Sequence, residues 1–70
     1  MSKDRKVCEA PNGMYLLEST SVSGTGTSFT LYEARVATGT LFRTYETINV
    51  ARQKFPADAG CDADKLVWSL

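Results

Sequence analysis

Seventy residues, eight Lys plus Arg against eight Asp plus Glu, and 43% hydrophobic residues describe a chain at the lower limit for a self-sufficient core. The mixture is too apolar for a disordered chain, too short for a second domain and without an apolar run able to span a bilayer. Balanced charge also removes any global field that would steer the chain to nucleic acid or an anionic membrane.

In chain order, Met1 to Lys6 are polar, carry Lys3, Arg5 and Lys6, and do not read as a signal peptide, so the expectation is a flexible basic tail (residues 1–6) on a cytoplasmic protein. Pro11-Asn12-Gly13 then separates Val7-Cys8-Glu9-Ala10 from Met14-Tyr15-Leu16-Leu17, and Asn-Gly between strand formers signals a hairpin. From Ser19 to Ser28 the chain is almost all Ser, Thr and Gly, which reads as strand ends joined at a Gly24-Thr25-Gly26 tip. Aromatic and β-branched residues dominate Phe29 to Ala37 and resume at Thr40 to Tyr45, with Thr38-Gly39 as a two-residue turn between them. That turn places Val36 opposite Leu41, Ala34 opposite Arg43 and Tyr32 opposite Tyr45 on a core face, with Arg35 across from Phe42 and Glu33 across from Thr44 on the other.

The period then changes. Ile48, Ala51 and Phe55 recur at helical spacing after Thr47 as N-cap, and Pro56 sets an expected end near Phe55. Asp58 to Asp64, with Gly60, reads as an acidic loop, and Lys65 to Leu70 as a terminal strand with Leu66, Trp68 and Leu70 on one buried face. The expected architecture is a single α+β domain over residues 1–70: a small antiparallel β-meander of three to four strands, one helix packed on one face, and a C-terminal strand. Trp68, Ile48, Phe55, Val36 and Leu41 are the expected shared core, and no internal repeat stands out.

Chemistry is sparse. There is no histidine to act as a base near neutral pH and no Gly-x-Ser-x-Gly elbow, so an enzyme is not expected. Cys8 and Cys61 lack a Cys-x-x-Cys spacing and cannot complete a zinc site alone, which makes them structural thiols, although one bridge remains open under oxidising conditions. The Gly24-Thr25-Gly26 stretch lacks the Gly-Lys-Ser/Thr of a phosphate loop, and Asp58, Asp62 and Asp64 lack EF-hand spacing, so neither a cofactor nor a metal is expected.

What remains is surface. Arg35 beside Phe42, with Glu33 and Arg43 near them, has the composition that interface cores favour, and Asp58, Asp62 and Asp64 form a competing acidic contact site. The chain is similar in size, catalytic poverty and layout to small accessory proteins of phages and other mobile elements, many of them inhibitors that block a host protein. A non-enzymatic protein-binding module follows as the leading expectation. The alternatives are a single-stranded nucleic-acid binder using Arg35, Arg43 and neighbouring aromatics, and a structural domain that self-associates into a homodimer through edge strands.

Overall fold

The computed structural model describes residues 2–70. Four strands run as an antiparallel meander, β1 (Ser2–Glu9), β2 (Tyr15–Val22), β3 (Ser28–Arg35) and β4 (Leu41–Tyr45), followed by helix α1 (Ile48–Ala59), a 3-10 turn (Ala63–Lys65) and β5 (Val67–Trp68). Strand order is β4-β3-β2-β1-β5, so the terminal strand extends the meander at its β1 edge. The α+β expectation holds: a four-strand meander, one helix packed on one face and a C-terminal strand.

Three hairpins share one loop geometry. Ala10, Ser23 and Val36 each accept from a glycine amide three positions on and donate their own N–H to the residue four positions on. Gly13, Gly26 and Gly39 supply the left-handed residue at φ 96°, 84° and 94°, thirteen residues apart. A backbone recurrence is therefore present where the sequence showed no repeat. It also corrects the two-residue turn, because the third loop is Ala37-Thr38-Gly39 closed by Val36 and Thr40.

Two bulges then adjust the faces. In β4 the register shifts so that Arg35 lies opposite Leu41 and Ala34 opposite Arg43, leaving Phe42 as the extra residue. The expected pairs Ala34–Arg43, Glu33–Thr44 and Tyr32–Tyr45 form, whereas Val36–Leu41 and Arg35–Phe42 do not. In β1 the shift falls between Lys6 and Cys8, and Val7 and Cys8 are both buried as a result. The residues expected to trail as a basic tail are instead paired with β2 from Ser2 onward, where Arg5 finds Glu18 across the ladder; Met1 lies outside the described residues.

Helix α1 starts where Thr47 accepts from the Val50 amide at 3.2 Å. Pro56 does not end it. The last turn survives the lost amide because it is tied down from outside: Asn12 donates to the Ala59 carbonyl at 2.7 Å, Tyr45 donates to Asp58, and Gly60 and Cys61 close a Schellman cap onto Ala57 and Pro56. The buried stripe is Ala51, Phe55 and Ala59, which meets Val7, Cys8, Leu16, Ala34, Tyr45 and Leu66. Phe55 is fully buried and meets Trp68 edge-on with ring centroids 6.4 Å apart. Of the expected core, Ile48, Val36 and Trp68 are only half-buried and Leu41 is exposed, since the β4 bulge puts it on the face away from α1. Leu70 is exposed too, because pairing ends at Trp68.

Candidate functional site

Among the described residues, none forms a second layer on the sheet face opposite α1, and the side chains of that face form rows across the strands. One row is Glu9, Tyr15, Arg35 and Leu41, the next Lys6, Leu17, Glu33 and Thr44, and the third Asp4, Ser19 and Leu31, with Phe29 beside Ser21 beyond it. Alternation along strands of period two places these residues on one side and Cys8, Leu16 and Ala34 on the other.

At the centre lies a fixed ion pair. Arg35 Nη2 is 2.8 Å from Glu33 Oε1, and Arg35 Nη1 donates to the Gly39 carbonyl at 2.7 Å, so the guanidinium is anchored to the third turn. Lys6 Nζ stands 5.0 Å from the Tyr15 ring centroid, a cation over an aromatic face. Around these groups Leu41 is 48% and Leu31 37% exposed, while Phe42, the bulge residue, is 50% exposed with the Arg43 guanidinium 5.9 Å from its ring centroid. Folding gains little from such side chains in water.

The other expected contact residues separate. Arg43 points to the α1 side, where its Nη1 lies 3.2 Å from Asp58 Oδ1, and Asp58 also accepts from the Tyr45 hydroxyl at 2.5 Å. Burial, then the Asp58 bond, pushes the Tyr45 phenol well above its ordinary range. Asp58 is thus a helical residue clamping α1 to β4 and not part of an acidic loop; Asp62 and Asp64 are exposed around the 3-10 turn. Arg35 and Arg43 face opposite ways, so one surface does not carry both. Reading the residues alone missed Leu17 and Leu41 on the open face; strict alternation from buried Leu16 was the signal available for the first.

Beyond α1 on its own side, Glu18 accepts from Tyr32 at 3.1 Å and pairs with Arg5 at 3.4 Å. Two shallow clefts, of about 340 and 470 Å3, lie beside β4 (Arg43, Glu46, Val50, Lys54) and between the first turn and the end of α1 (Asn12, Gly60, Cys61, Lys65). Cys8 and Cys61 are free thiols, and burial followed by the Glu9 charge pushes the Cys8 thiol up to about 11. Such a thiol is a poor nucleophile. Among the described residues, no group of three or more Cys, Asp or Glu is placed to hold a metal ion, and no helix is long and apolar enough to cross a membrane.

Comparison with protein-family models, with curated proteins and with solved structures finds no match.

Proposed function

We propose that the chain is a non-enzymatic protein-binding module, a small inhibitor or accessory protein that occupies a partner's surface with the open face of its sheet. The observation that carries this is the exposure of Leu31 and Leu41, with Phe42 at the adjoining bulge, beside an Arg35–Glu33 pair already locked in place. Apolar and aromatic groups around a desolvatable arginine are the composition of interface centres, and a pre-ordered guanidinium loses little freedom on binding. The two thiols fit a reducing compartment, and we place the protein in the cytoplasm on that ground.

The nucleic-acid alternative has less support, because its two arginines lie on opposite faces and Arg43 is already paired with Asp58. The test is affinity capture from the native host with the wild-type chain, an L41S/F42S double variant and a D62N/D64N double variant. A specific protein retained by the wild type and the loop variant but lost from the face variant is the expected result. Retention by the face variant and loss from the loop variant would move the site to the acidic segment. A salt-sensitive mobility shift with single-stranded nucleic acid would replace protein binding by the alternative.

A further inference from the structure

The sheet has two partly unpaired edges of different chemistry. Along β1, β5 covers only Cys8 and Glu9, and the free stretch carries Lys3, Asp4, Arg5 and Lys6. Charges of this kind are how natural sheets block edge-to-edge pairing. Along β3, β4 covers Tyr32 to Arg35, and the free stretch is Ser28-Phe29-Thr30-Leu31, with no charge and no proline.

The hydrogen-bond alternation says which backbone groups this edge offers. The Ser23 amide donates to the Thr27 carbonyl and the Val36 amide to the Thr40 carbonyl, and the β2–β3 register is unbroken between them. Thr27, Phe29 and Leu31 therefore turn their amides and carbonyls to β2, while Ser28 and Thr30 turn theirs outward, as Tyr32 does toward β4. Ser28 and Thr30 are thus the two residues whose backbone groups point into water beyond the reach of β4.

We propose that this edge pairs with the same edge of a second copy, antiparallel, about a two-fold axis through Phe29. In that register Ser28 faces Thr30 of the second copy and Thr30 faces its Ser28. Each such pair exchanges both of its backbone bonds, so every outward group of the free stretch is satisfied. Phe29, 50% exposed, meets its own counterpart as a close non-hydrogen-bonded aromatic pair. A register centred on Thr30 would instead set Ser28 against Tyr32, whose groups already face β4. Pairing β1 with itself would bring lysines and arginine together, and the charged β1 edge blocks a growing filament, so the assembly closes as a dimer. The contact is short, well under the roughly 1,000 Å² of durable interfaces, so association is weak and concentration-dependent.

Sedimentation equilibrium of the full chain from about 10 µM to about 1 mM should show the mass rising from 7.7 kDa toward twice that value. Thr30→Pro removes an outward amide and the Thr20–Thr30 side-chain bond but no ladder bond, so it should stay folded and monomeric throughout. Phe29→Ala should weaken the dimer about three- to tenfold. The L41S/F42S variant, which damages the open face, should dimerise like wild type, so this inference and the proposed partner surface fail independently. Amide exchange on the wild type gives a second readout if Thr30→Pro does not fold: Ser28 and Thr30 should gain protection with concentration. A wild type that stays monomeric at about 1 mM, a folded Thr30→Pro that dimerises, or protection gained along Lys3 to Lys6 instead would each overturn the pairing.

Discussion

At the end of the sheet that carries the Pro11–Gly13 and Ala37–Gly39 turns, helix α1, β5 and five strand residues close around Phe55, and side chains disappear from solvent. At the other end, around the Gly24–Gly26 tip, the same strands run on without cover: from Leu17 to Glu33 no residue is buried. The strands explain the difference by length. A strand of eight residues spans about 26 Å, whereas a twelve-residue helix covers about 18 Å, so α1 does not reach along the whole length of the strands beneath it. The covered end holds the fold, and the uncovered end is held by ladder bonds, Thr20–Thr30 and the Arg5–Glu18–Tyr32 contacts. Cross-strand pairs can therefore keep order where no core reaches, at lower local stability.

The largest test of that contrast is Phe55→Ala against Phe29→Ala. The first should cost about 3–5 kcal/mol and leave the domain largely unfolded, the second less than about 0.5 kcal/mol. Equal shifts in chemical denaturation would mean that the two ends share one core.

Alkaline titration reads the covered end through Cys8 and Tyr45, and the uncovered end through Tyr32, whose phenol is raised by burial and then by its bond to Glu18. Unfolding frees a Cys8 thiol that ionises near 9.0, whereas in the fold it ionises near 11, so stability should fall by roughly 2–3 kcal/mol as pH rises from 9 to 11. Tyr45, also raised by burial and its Asp58 bond, adds to that loss above its ordinary value of 10.0. Cys8→Ala should flatten the first part of this limb in melts taken across the range. An unchanged limb would show that the thiol is not desolvated.

The matched turns give a finer comparison. Gly13 and Gly26 have the same loop role, yet a Cβ at Gly13 would stand 2.8 Å from the Ala37 Cβ, while at Gly26 it would meet nothing. Gly26→Ala should cost only the left-handed backbone, about 1–2 kcal/mol, and Gly13→Ala distinctly more, read as the difference between two melting curves. Tyr45→Phe comes last, at about 1–1.5 kcal/mol for the lost bond to Asp58. A smaller loss at neutral pH would mean that Arg43 alone satisfies the carboxylate.

The turns, the N-cap and three of the five expected β3–β4 pairs were legible because each rests on local chemistry: Gly at positive φ, Thr47 before Ile48, alternation along β3. What escaped depended on partners distant in the chain. Lys3 to Lys6 have poor strand propensity and join β1 because β2 offers Glu18 and a ladder; Pro56 stays helical because Asn12 and Tyr45 hold the turn beyond it. The bulges at Val7 and Phe42 are one-residue decisions that leave no mark in composition, yet the second exchanged Leu41 between core and open face. The candidate site was accordingly half visible. Glu33, Arg35 and Phe42 were foreseen, whereas Arg43 and Asp58 proved to serve the packing of α1.

The joining of β5 to β1 has a mechanical consequence. Cys8 pairs with Trp68, and Ser69 donates to the Val7 carbonyl while Arg5 reaches the Ser69 carbonyl. Because these strands are antiparallel, the two chain ends leave the sheet in the same direction. A load applied across them would break those bonds one after another, as a zipper opens, and not all at once in shear. Peeling away two strand residues would uncover Phe55 and Cys8, so tension at the termini would reach the core after very little extension.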